Sequence, residues 1–340
     1  MTLLLLVFAA LALHFVRQWW AHRVLPAHAT IEFDGTLHRA AETNIAVKRP
    51  AGGATRTLIC VPGFLENSRY YLDLYDGASR DSGAADELIL INNANYHCPF
   101  DETHVEPLDW EPNPHRVGTI AHDAFFLARA IETLATTDQI VLHGHSRGGA
   151  VVLDAGRQFP ALMRDGGRRI SAVLEAPVVP RGTPTGGAPG PVQAAITHYM
   201  LPLAFSLLRN MRERRLRKLP MMQPTNDVKT ALMKTLFEHP RDYATCVVNV
   251  SDIGQWQRQQ PYALYQNFEQ ITVLVGERDD VLSTRTMTAS AEHGAKLNQG
   301  LAIVQTTGTN HFISLEKPGV VQQALRDAAA RRDQPGAAAP

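Results

Sequence analysis

Cysteine is scarce in this sequence: Cys60, Cys98 and Cys246 are the only three in 340 residues. Thiols so few and so scattered exclude a disulfide framework. No Cys-x-x-Cys or His-Glu-x-x-His spacing offers a zinc site either. An excess of charge of one sign is also missing, because Lys plus Arg number 33 and Asp plus Glu number 33. That balance argues against a general polyanion binder, and no nucleic-acid module is recognisable, so no nucleic acid is expected as a partner. Long structureless polar tracts are lacking too. With 45% hydrophobic and 19% charged residues, the composition fits one large globular domain or a domain with an insertion.

The amino terminus is the strongest local departure. Leu3 to Val16 is apolar apart from His14, and Arg17, Trp19, Trp20, His22 and Arg23 follow it. As a helix, Thr2 to Trp20 rises about 28 Å, close to the roughly 30 Å of a bilayer core. The paired tryptophans stand where an interfacial belt belongs, and the cations follow the run, so the carboxyl side faces the cytoplasm on the positive-inside rule. Residues 1–23 therefore read as a membrane anchor. A helix buried in the protein is one alternative, and cleavage after Ala27-His28-Ala29 is the competing reading, with an exported product. It lacks a basic n-region and places Arg17 to Arg23 where a short polar segment is expected.

From Ile31 onward, short β-branched runs alternate with helix-like stretches, the pattern of a mostly parallel sheet with crossover helices. Strands are expected at Asn44–Lys48, Thr57–Val61, Glu87–Asn92, Gln139–His143, Ser171–Glu175, Ile271–Val275 and Leu301–Val304. Helices are expected at His122–Leu134 and Ala150–Phe159. The alternation lapses across the Gly- and Pro-rich Arg181–Gly190. A helical segment over 179–268 follows, which reads as a cap inserted between two parts of a core, 30–178 and 269–330. A disordered tail is expected at 331–340.

One motif organises the rest. His143-Gly144-His145-Ser146-Arg147-Gly148-Gly149 follows a strand and opens an apolar helix. The Gly-x-Ser-x-Gly pattern suits a sharp strand-to-helix turn that holds a strained serine out toward substrate, with the first N–H groups of the helix aimed at a developing oxyanion. A glycine-rich turn with an incidental serine is the plainer alternative.

On this motif and its setting, the chain resembles the α/β-hydrolase superfamily over about Thr30 to Arg326. The resemblance implies an acid after a later strand and a histidine last. Ile271–Val275 runs into Gly276-Glu277-Arg278-Asp279-Asp280, where Asp279 matches the acid, and Leu301–Val304 is followed by Gly308-Thr309-Asn310-His311-Phe312, where His311 matches the base. Glu175, at the end of the preceding core strand, is the alternative acid, since some members supply theirs from that place; Asp280 is a nearer competitor. Pro62-Gly63-Phe64 stands where the superfamily often carries His-Gly and an oxyanion-hole residue, so the N–H groups of Phe64 and Arg147 are the expected donors. Pro62 departs from that pattern, and Pro-Gly could be only a tight turn. Serine at the elbow excludes relatives with an aspartate nucleophile, namely those resembling dehalogenases and epoxide hydrolases.

These residues imply an acyl-transfer enzyme that needs no cofactor and no metal. Cleavage of a carboxylic ester or lipid with an apolar acyl or alcohol part is the leading expectation. A thioesterase or acyltransferase with the same triad, or a non-catalytic scaffold, are the alternatives. Tyr96, His97, Cys98, Asp101 and His104 match no metal motif, and their loop is expected near substrate instead. In the cap, apolar Ile196–Leu208 precedes Arg209, Arg212, Arg214, Arg215, Arg217 and Lys218, a pairing that either meets an anionic membrane or forms an ordinary cap helix with a solvated basic end.

Overall fold

The computed structural model describes residues 2–75 and 86–330; the tail expected at 331–340 lies outside them. Among the described residues nine strands form one sheet: β1 (Thr36–Ala40), β2 (Thr43–Lys48), β3 (Arg56–Val61), β4 (Asp86–Ile91), β5 (Val105–Pro107), β6 (Gln139–His145), β7 (Arg169–Glu175), β8 (Gln270–Gly276) and β9 (Leu301–Thr306). Their order is β5-β1-β2-β4-β3-β6-β7-β8-β9. From β4 through β9 every pairing is parallel, whereas β2 runs antiparallel to both β1 and β4.

The helices are α1 (Thr2–His22), α2 (Leu72–Tyr75), α3 (Ile120–Thr133), α4 (Arg147–Gln158), α5 (Pro191–Arg209), α6 (Glu213–Leu216), α7 (Asp227–Thr235), α8 (Tyr243–Gln259), α9 (Thr284–Leu297), α10 (Ile313–Glu316) and α11 (Pro318–Ala330). Burial of the sheet on both faces explains why its central strands are continuous apolar runs. In β3, Ile59 and Val61 join the core that holds α3 and α4, while Leu58 and Cys60 join the one that holds α11 and residues from α5 to α8. That alternation is the period-2 geometry of a strand. Helix starts are capped by side chains: Thr119, Asn226, Asp242 and Ser283 each accept an N–H of the first turn, supplying acceptors that the helix itself lacks.

The expected strands all form, but β1 and β5 were not anticipated. Both are short, polar segments toward one edge of the sheet, reading Thr-Leu-His-Arg-Ala and Val-Glu-Pro. Between β7 and β8 the chain is helical, α5 through α8. The basic stretch there is not a continuation of the apolar helix: α5 ends at Arg209 and α6 is a single turn. α8 fastens this layer to the core, because Trp256 Nε1 donates to Asp154 in α4 and Asp252 accepts the N–H of Ile120 in α3.

Candidate active site

Ser146 stands where β6 passes into α4, at φ 50° and ψ −116°. A positive φ at serine costs on the order of 1–3 kcal/mol and persists only where the surroundings impose it. Here the backbone is held from both sides: Ser146 N–H donates to the Glu175 carbonyl at 2.9 Å, and Ser146 O accepts from Val178 at 2.8 Å. The elbow also presses against β3. A Cβ at Gly148 would lie 2.0 Å from the Val61 carbonyl oxygen, so only glycine lets these backbones meet.

Three side chains from three strand ends converge. Ser146 Oγ lies 3.0 Å from His311 Nε2, and His311 Nδ1 lies 2.8 Å from Asp279 Oδ2. Asp279 Oδ1 accepts the N–H groups of Val281 and Leu282, both at 2.8 Å, which fixes the carboxylate plane. Burial alone would raise the Asp279 carboxyl, but the His311 ring and those two N–H groups outweigh it and hold it below its ordinary value. All three residues are buried.

The loop after β3 faces the serine. Gly63 N–H donates to Glu66 Oε2 at 2.7 Å, and a Cβ on Gly63 would lie 3.0 Å from Ser146 Cβ, so the loop rests directly on the elbow. Asn93 Nδ2 donates to the carbonyls of Gly63 and Glu66, each at 2.8 Å, bracing the loop from behind. Among the described residues, Phe64 N–H donates to no protein acceptor. Arg147 is the first residue of α4, so its N–H has no acceptor within the helix. The Arg147 side chain turns away into the core, to Asp123 at 2.6 Å, Asn93 at 3.0 Å and the Gly118 carbonyl at 3.2 Å.

A family model for alpha/beta hydrolases matches residues 58–324. The chain belongs to the alpha/beta hydrolase family.

Among solved structures, this hydrolase is similar to Est816, an N-acyl homoserine lactone degrading enzyme, at 16% identity over 85% of this chain and 98% of that one, with a TM-score of 0.56. It is similar to MenH from S. aureus at 16% identity, 85% and 99% coverage and a TM-score of 0.56. A thermophilic esterase from Thermogutta terrifontis stands at 17%, 88% and 97%, and 0.56. Likeness at such identities is likeness of fold. No curated protein matches the sequence significantly.

Glu175, the alternative acid, faces elsewhere in this hydrolase. Its carboxylate accepts from Tyr70 Oη at 2.8 Å and from Ser314 N and Oγ at 2.5 Å each, and lies 2.9 Å from His143 Nε2. Burial would raise its carboxyl, yet the hydrogen bond from His143, the charges of His145 and His143 and the bonds from Ser314 bring it down to about 2. Asp280 is likewise turned away, accepting from Asn310 Nδ2 at 2.7 Å. Among the described residues no three His, Cys, Asp or Glu side chains converge as metal ligands. His97 bonds to the Leu25 carbonyl at 2.9 Å, while Asp101 accepts from Thr103.

Sequence reasoning passed over Glu66, Tyr70 and His145, which underlie the serine. A signal was present. His143 and His145 share one face of a strand whose Ile140, Val141 and Leu142 are apolar, and buried polar groups at such positions require partners.

Proposed function

We propose that this hydrolase cleaves a carboxylic ester with an apolar acyl or alcohol part, with Ser146 as nucleophile, His311 as general base and then acid, and Asp279 holding the imidazole. The observation that carries the reading is the unbroken chain from Ser146 Oγ through His311 to Asp279. His311 Nε2 takes the serine proton as Oγ attacks the carbonyl carbon, and the N–H groups of Phe64 and Arg147 receive the oxyanion. Collapse expels the alcohol, which takes the proton from His311; water then attacks the acyl-enzyme by the same route in reverse. No metal enters these steps. Aromatic side chains support an apolar substrate: Phe64 lies 6.0 Å from Phe205 in α5, and Phe205 lies 5.4 Å from Phe237 and 5.8 Å from Tyr243.

α1 is the proposed membrane anchor. Its 21 residues span about 31 Å, and its exposed side chains include Leu3, Phe8 and Phe15. The following segment supports an uncleaved anchor, because Leu25 is buried in the core and its N–H donates to the Arg241 carbonyl at 2.8 Å. Cleavage after Ala29 would strip that contact away. α5 leans on α1 through Arg17, whose Nε donates to the Tyr199 carbonyl at 3.1 Å, and it exposes Val192, Ile196 and Met200 on one face. That face, with exposed Arg212, Arg214, Arg215 and Lys218 beyond it, suits a bilayer with anionic headgroups. Arg17 and Arg23 after the apolar run support a cytoplasmic side for the catalytic domain, so protease added outside sealed cells should leave it uncut.

A fluorophosphonate probe tests the chemistry. Labelling of the wild type and none of Ser146→Ala is expected, and equal labelling of both would overturn the nucleophile. Ester and thioester panels of graded chain length then identify the substrate class, with turnover expected to rise with acyl length; a preference for thioesters would move the enzyme to the thioesterases.

A further inference from the structure

Beneath Ser146 lies a second carboxylate and imidazole that the reaction above does not use. His145, the last residue of β6, and Glu66, on the loop after β3, are both buried. His145 Nδ1 lies 2.8 Å from Glu66 Oε2, the oxygen that also accepts the Gly63 N–H at 2.7 Å. His145 Nε2 lies 3.0 Å from the carbonyl oxygen of His311. A carbonyl oxygen only accepts, so Nε2 carries a hydrogen; the Glu66 carboxylate likewise only accepts, so Nδ1 faces it as a donor. An imidazole that donates from both nitrogens is an imidazolium.

The other groups packed around the ring are mostly aromatic. Tyr70 stacks on it at 4.5 Å and 12°, and the His311 and Phe312 rings stand at 4.9 Å and 5.6 Å, while Tyr71 Oη accepts the backbone N–H of His145 at 3.0 Å and so fixes the main chain there. Burial alone would lower the His145 value, but the charge and hydrogen bond of Glu66, the charge of Glu175 and the His311 carbonyl raise it to about 9.

Two loops and a strand end meet at this pair. Glu66 belongs to the loop bearing Phe64, His145 adjoins the nucleophile, and the His311 carbonyl belongs to the loop that carries the base; the two bonds of the ring join residues 79 and 166 positions apart. Stability alone does not account for such a pair, because an apolar filling of equal volume usually serves a core at least as well. We propose that the Glu66–His145 ion pair is a positioning element that holds the oxyanion loop, Ser146 and His311 in register, and that loss of its proton at alkaline pH releases that register. The inference rests on the serine-hydrolase reading, and neither residue touches the reacting atoms.

The test combines kinetics with ring-nitrogen NMR on the full chain. His145→Gln and Glu66→Gln should each lower kcat by about 10²-fold while leaving KM within about threefold, since a displaced oxyanion loop weakens the transition state more than the ground state. Wild-type kcat should fall along an alkaline limb centred near pH 9. The limb should vanish in His145→Gln and move to lower pH in Glu66→Gln. NMR should show both His145 nitrogens protonated at pH 7.5, and their loss should track the limb. A neutral His145 at pH 7.5 overturns the proposal even if neither variant folds. So does wild-type kcat with an unchanged limb in His145→Gln. Failure of the wild type to react with fluorophosphonate would instead defeat the hydrolase reading, and NMR would still decide the state of the pair.

Discussion

Asp279 and Glu175 leave the carboxyl ends of neighbouring strands, β8 and β7; both are buried and both face a histidine, yet their surroundings differ. Asp279 meets the one imidazole that also reaches Ser146, and its remaining oxygen is held by backbone N–H groups. Glu175 is saturated by Tyr70, His143 and both donors of Ser314. The difference teaches that a strand-end carboxylate is suited to orient a base only through what its partner touches. Glu175 ties β7 to α10 just beyond His311, whereas Asp279 ends in the serine.

Activity should separate the two most widely. Ser146→Ala and His311→Ala set the floor, with kcat lowered by about 10⁴-fold or more because the three residues act as a unit. Asp279→Asn should approach that floor, losing about 10⁴-fold, since an amide favours the wrong tautomer of the imidazole. Glu175→Gln should stay within about tenfold of wild type. The reverse order would move the acid role to Glu175.

Stability should invert the ranking. Glu175→Gln removes a buried charge that its donors were arranged to meet and should cost about 3 kcal/mol in urea unfolding. Asp279→Asn keeps an oxygen for Val281 and Leu282 and should cost about 1 kcal/mol. Equal losses would erase the distinction.

Acid pH probes the same carboxylate with a smaller effect. The folded Glu175 value of about 2 lies below the ordinary 4.5, so its contribution is fully present above pH 4.5 and is lost as the pH falls through about 2. Glu175→Gln should therefore show a flatter fall in stability between those values. An identical slope would mean that Glu175 gains nothing from its partners.

The smallest effect on turnover should come from removing part of α1, which touches neither carboxylate. Deleting residues 2–13, short of the His14 and Arg17 contacts to Tyr199, should release the protein from membranes while kcat on a short soluble ester stays within about twofold. A truncated protein that still sediments with vesicles would transfer membrane binding to α5.

Much of this was legible before any coordinates. The seven anticipated strands were found because strands buried on both faces are apolar runs bounded by turn residues. β1 and β5 escaped because polar strands near a sheet edge carry no such signal, and the antiparallel turn of β2 is a matter of pairing that local sequence does not encode. In the site, Ser146, Asp279 and His311, which the structure brings together, could be proposed because each follows a recognisable strand in a fixed order.

By itself, the sequence determined the alternation of strands and helices, the glycine-lined elbow and the apolar amino-terminal helix, since these depend on neighbours a few residues apart. Only the tertiary structure decided which carboxylate met His311, that Arg147 turned inward to Asp123, and that Glu66 and His145 came together beneath the serine. Those outcomes follow from hydrogen bonds between groups far apart in the chain. Burial makes each such group costly to leave unpaired, but only the assembled sheet determines which partner it meets.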